Sequence, residues 1–179
     1  MIKQDTLRPS DLAVVLSLSI LRDGAKVTLS QLGKILGLSS STTFEAVQRL
    51  QRAGLLRPGT REPNRHALRN FLEHGVRHAF PPALGREVRG VPTAHAGPEL
   101  SQQFDSVRPL VWPDPNRSVR GTALTPLFPQ ATNLPERAPA IYNALTLVDA
   151  LRVGRARERS AAMAALGRML ETGSQRLNG

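Results

Sequence analysis

The spacing of apolar positions changes character along the chain. From Leu12 to Leu21 apolar residues are nearly continuous, interrupted only by Ser17 and Ser19, which predicts a helix from Asp11 to about Leu21. Ser10 is its candidate cap, Asp11 favours its positive end, and Gly24 would close it. Leu29, Leu32, Ile35 and Leu36 then fall at helical spacing behind Thr28, predicting a second, short helix over Leu29 to Leu36. Gly37 supplies a left-handed turn and Leu38 a hydrophobic plug. A third helix, capped by Ser39 or Ser40, runs to about Ala53, with Gly54 just past its end. Its apolar side, Thr43, Ala46, Val47 and Leu50, faces the first two helices. Its other side carries Ser40, Ser41, Phe44, Glu45, Gln48 and Arg52.

Beyond Leu56 the pattern loosens. Residues 63–79, PNRHALRNFLEHGVRHA, read as a fourth helix. Ten of the 14 prolines then fall between Pro81 and Pro135, a density that forbids long helices. Val91, Leu110, Val111, Trp112, Leu124, Leu127 and Phe128 still give that stretch enough apolar surface to pack, so it reads as an ordered, irregular arm with a short strand or two. Helical spacing returns at Ala140 to Arg152, with Ile141, Leu145, Val148 and Leu151 on one stripe. After Gly154 it resumes over Arg155 to Leu170, with Ala162, Ala165, Leu166 and Met169 apolar. Three segments result: residues 1–66, residues 67–137 (a helix and the arm), and residues 138–179, a helical hairpin suited to dimerisation or partner docking.

Composition adds a partner class. Among 179 residues, 24 Lys and Arg face 14 acids, a net charge of +10 with a pI near 11.5, which suits an anionic partner and nucleic acid first. Residues 1–66 hold ten basic and five acidic side chains, the largest surplus of the three segments. Cysteine is absent, which removes disulfides, thiolate zinc sites and a cysteine nucleophile. The run Leu12 to Leu21 is too short to span a bilayer, and the N-terminus lacks a signal-type apolar core. The expectation is a soluble, cytoplasmic protein without membrane contact.

The outer face of the third helix has the chemistry a major groove asks for. Ser39, Ser40, Ser41 and Thr42 are small enough for close approach to phosphates and bases at a helix end rich in free N–H groups. Gln48 can read adenine, Glu45 can accept from cytosine N4, and Arg49 and Arg52 can reach phosphates. Phe44 is either a contact to a thymine methyl or a patch that packs on a protein partner.

Residues 27–56, VTLSQLGKILGLSSSTTFEAVQRLQRAGLL, resemble the winged helix-turn-helix of MarR-type bacterial transcription regulators. The likeness rests on L-x-x-L-x-x-x-L-G-L-S-x-S-T followed by V-x-R-L-x-x-A-G-L-L, and reaches about residues 10–66 with the first helix and wing; residues 81–179 resemble no family. The resemblance implies that Leu55-Leu56-Arg57 is the first wing strand. It makes Pro58 to Arg65 the wing tip, with Arg57, Arg61 and Arg65 as its basic residues. The fold expected is therefore mostly α with a small β wing: an N-terminal winged helix-turn-helix, a Pro-rich irregular arm and a C-terminal helical hairpin.

Other constellations are weaker. His74 and His78 are four apart beside Glu73, but no third ligand is set by sequence, and His66 and His95 are distant, so no metal is expected. Phosphate-binding and nucleophile motifs are missing, His95 stands alone in a Gly/Pro turn, and neither an enzyme nor a cofactor is expected. Arg152, Arg155, Arg157 and Arg159 form a basic corner that is solvated, paired with Asp149 and Glu158, or a docking or phosphate contact. The functional expectation is a sequence-specific regulator of transcription that binds double-stranded DNA, a homodimeric repressor on a palindromic operator. The alternative is a protein-binding module, such as the antitoxin and autoregulator of a toxin–antitoxin-like pair, holding a second protein through residues 81–179.

Overall fold

The computed structural model describes residues 6–21, 26–104 and 108–172; Gly24, the expected closure of the first helix, lies outside them. The first helix, α1, spans Pro9–Ile20 and begins one residue before the expected cap. Arg8 is the cap, Pro9 takes a first-turn position where a missing N–H costs nothing, and the Asp11 carboxylate accepts the Arg8 N–H at 2.8 Å. Every residue from Asp11 to Ile20 is buried, because α3 packs against α1 on one side and the C-terminal helices on the other. The two serines survive inside by bonding within their own helix: Ser17 Oγ donates to Ala13 O at 2.6 Å and Ser19 Oγ to Val15 O at 2.7 Å.

Helices α2 (Leu29–Leu36) and α3 (Ser40–Arg52) stand where their caps predict. A hairpin follows in which Leu56 pairs with Pro63, Arg57 N–H donates to Glu62 O and Asn64 N–H to Leu55 O, both at 2.9 Å. The return limb of the wing is thus Glu62–Asn64, held by this single bridge, and the tip is only Pro58–Arg61. Arg65 is not a tip residue, since it opens the next helix. That helix is α4 (Arg65–Asn70), capped by Asn64, then a π-helical turn over Phe71–Gly75, then α5 (Val76–Ala79).

The arm is more regular than its prolines suggest. It forms three strands, β1 (Leu84–Thr93), β2 (Leu110–Pro113) and β3 (Arg120–Leu124). The first half of β1 runs antiparallel to β3 (Val88 opposite Gly121) and its second half antiparallel to β2 (Val91 opposite Trp112), while β2 and β3 pair in parallel and close the sheet on itself. Closure demands glycine at the crossing: a Cβ on Gly90 would stand 2.1 Å from Trp112 O. Among the described residues this closed sheet and the single wing pairing are the β structure, so the fold is mostly α with the β component concentrated in the arm.

Two 3₁₀ turns, Ala94–Ala96 and Pro129–Asn133, and the short α6 (Leu134–Arg137) complete the arm. The C-terminal hairpin is α7 (Pro139–Val153) and α8 (Ala156–Thr172), packed on each other and on α1. Asp149, wholly buried on α7, ties the arm to this hairpin. Its Oδ2 accepts from Thr93 Oγ1 at 2.7 Å and Trp112 Nε1 at 2.6 Å, and its Oδ1 accepts from Arg152 Nη1 at 2.6 Å. Burial raises the Asp149 carboxyl above its ordinary value, while Arg152 and then the Thr93 and Trp112 hydrogen bonds pull it back. Arg152 also donates to Phe80 O at 2.7 Å, so this arginine is a structural clamp rather than part of a docking corner. Tyr142 adds a bond to Pro92 O at 2.6 Å, and burial pushes its phenol up to about 12. One hydrophobic core runs through α1, α3, the arm and the hairpin.

Candidate nucleic-acid interface

Local chemistry builds the helix-turn-helix. Thr28 and Gln31 form a reciprocal capping box: Gln31 N–H donates to Thr28 Oγ1 at 3.1 Å and Thr28 N–H to Gln31 Oε1 at 2.9 Å. Gly37 ends α2 at φ +71°, and the Ser39 hydroxyl accepts the Thr42 N–H at 3.1 Å to start α3. Ser39 rather than Ser40 is the cap. Its hydroxyl also meets those of Ser41 at 2.9 Å and Thr42 at 2.8 Å, so three expected contact residues form one polar cluster at the helix entrance.

Thr43, Ala46, Val47 and Leu50 are buried, as helical projection predicts. Ser40, Ser41, Phe44, Glu45 and Arg52 are exposed and Gln48 is half-buried, so the side chains nominated for base contact share one solvent-facing surface. Phe44 is 53 % exposed, the aromatic among the large apolar side chains left in solvent.

Arg49 is a correction. It was expected to reach phosphates, but its side chain is 2 % exposed and clamped on Asp11, with Nε to Oδ2 and Nη2 to Oδ1 both at 2.8 Å. Both Asp11 oxygens are taken by this fork, which fixes α3 on α1. Glu45 Oε2 lies 3.6 Å from Arg49 Nη1, so this exposed carboxylate is steadied from below.

The basic wing residues divide. Arg57 is exposed and 3.9 Å from Glu62. Arg61 is half-buried and donates to Val27 O, which ties the tip to the segment before α2. Arg65 donates to Leu170 O on α8, away from the tip. Gln51 Nε2 donates to Thr60 O at 2.6 Å and braces the tip against α3. The face that remains for a partner is Ser39, Ser40, Ser41, Thr42, Phe44, Glu45 and Gln48 with Arg52 and Arg57.

A family model described as winged helix-turn-helix DNA-binding matches residues 18–57. The N-terminal segment is a winged helix-turn-helix. No curated protein and no solved structure matches the chain. The match runs from the last turn of α1 to Arg57 on the first limb of the wing, and the remaining described residues supply what packs around it.

Sequence spacing missed what lies against the turn of this winged helix-turn-helix. Gln130 and Arg137, from the end of the arm, approach Gly37. Tertiary packing brings them there, and nothing local in the sequence signals it. His74 is exposed 3.9 Å from Glu73, and among the described residues no group of three His, Cys, Asp or Glu side chains is placed to hold a metal ion. No helix among them is long and apolar enough to cross a membrane.

Proposed function

We propose that the chain is a sequence-specific, double-stranded-DNA-binding regulator of transcription of the MarR type, acting as a homodimer that represses by occupying a palindromic operator. One observation carries this reading. The side of α3 opposite its buried stripe presents small hydroxyls, then Glu45 and Gln48, on a helix locked to α1 by the Asp11–Arg49 fork. A rigid helix with that row suits the major groove: Gln48 pairs with adenine, Glu45 accepts from cytosine, and Ser40 and Ser41 approach the backbone. Arg52 and Arg57 supply phosphate contacts. A single recognition helix spans only a few base pairs, so two copies about a two-fold axis suit a palindrome.

Phe44 favours a second reading. A half-exposed ring in the middle of a polar face also fits a protein partner, as in an autoregulator that neutralises a second protein.

Selection of bound fragments from genomic DNA separates the two. The regulator reading predicts enrichment of one motif by the wild-type chain alone, weakened roughly fivefold to 150-fold by Gln48→Ala or Glu45→Ala, as expected for about 1–3 kcal/mol per base contact. Enrichment that neither substitution changes would remove these residues from the recognition role. Enrichment that requires a co-purifying protein would favour the second reading.

A further inference from the structure

The end of the arm returns to the helix-turn-helix. A Cβ built on Gly37 would stand 3.1 Å from Gln130 Cβ and 3.3 Å from Arg137 Nη1, so the Arg137 guanidinium lies beside the turn joining α2 to α3. The segment that carries it is held firmly. Ala131 and Leu134 are buried in the core. Arg117 donates to both Glu136 oxygens, at 2.5 and 2.9 Å, to Thr132 O at 3.0 Å and to Asp114 at 3.1 Å. Those hydrogen bonds hold the Glu136 carboxylate below its ordinary range.

This clamp has a consequence for the neighbouring cation. Glu136, the acid next to Arg137 in sequence, is occupied by Arg117. Arg137 is exposed and makes no hydrogen bond or ion pair with any described residue. A guanidinium that no described acid neutralises therefore stands on a braced helical turn, at the point where the chain enters α3.

We propose that Arg137 is a DNA-phosphate contact supplied by the arm. When the start of α3 lies in the major groove, the chain just before it crosses the sugar-phosphate wall, so the turn at Gly37 and the guanidinium beside it meet phosphate oxygens. Arg137 then adds one fixed charge-assisted hydrogen bond and sets the orientation of the protein on the duplex. The arm becomes part of the binding surface, well outside the residues that match the winged helix-turn-helix family. This assignment rests on the regulator reading.

The test uses the full chain, the duplex recovered by fragment selection and a scrambled duplex of equal composition. Arg137→Gln is expected to weaken binding to both duplexes several-fold by the same factor, leaving their ratio unchanged. It also flattens the slope of log affinity against log salt by about 0.9 per bound protomer, the value for one phosphate contact. Arg137→Lys keeps most of the slope, and the urea midpoint of both variants equals that of the wild type. A Gln variant with the wild-type slope and affinity, on a duplex the wild type prefers, would overturn the Arg137 contact and leave the regulator reading standing. A wild-type chain that prefers no duplex would overturn both.

Discussion

Arg49 and Arg52 sit three positions apart on α3 and have different roles. Arg49 is sealed against Asp11, whereas Arg52 is exposed at the end of the helix. Removing one partner of a buried pair strands the other charge, at a cost of about 3–5 kcal/mol. Arg49→Met or Asp11→Asn should therefore lower the urea midpoint sharply, while Arg52→Met leaves it within error and flattens the salt dependence of DNA binding instead. A stable Arg49→Met chain with weakened phosphate contacts would reverse the assignment. The sequence reading gives Arg49 a reach to phosphates beside Arg52, although helical spacing leaves it out of the outer face. Its true partner, Asp11, is 38 residues away and was legible only as a favourable charge at a helix end. Phe44, by contrast, was legible as the odd member of its face, and it is exposed there.

Helices α2 and α3 were readable to within a residue because their instructions are local: Thr28 and Gln31, Gly37, Ser39, and a buried stripe at helical spacing. The wing was readable in outline but too long at its tip, since Asn64 caps α4 and claims Arg65 for the helix. The sheet was the least legible element. Its register joins Val88 to Gly121 and Val91 to Trp112, pairings across long separations that no local pattern encodes. Gly90 is the exception, because only a residue without Cβ allows Trp112 O to come so close. Gly90→Ala should force the strands apart and cost about 1–3 kcal/mol or more. A lower urea midpoint, with the change in Trp112 fluorescence as its signature, is the expected outcome; an unchanged midpoint would argue against the closed sheet.

At the scale of the molecule, α1 is the shared spine. Its run of apolar residues was visible in sequence, but the reason for it was not: α1 is covered on one side by the helix-turn-helix and on another by α7 and α8. Helix α3 is therefore held by the same core that anchors the arm and the C-terminal hairpin, and Asp149 links those two through Thr93, Trp112 and Arg152. Such a frame keeps α3 rigid and brings Arg137 to its entrance. The positive balance of +10 gives the whole surface an attraction for a polyanion, and the proposed function assigns base reading to the α3 face. The measurement that bears most directly on this account is the equilibrium affinity of the purified chain, alone and near physiological salt, for the selected fragment and for a scrambled fragment of the same composition. The account predicts a preference of about 10³-fold or more for the selected fragment. Equal affinity for the two would contradict it, reducing the chain to a basic protein that binds DNA by charge alone.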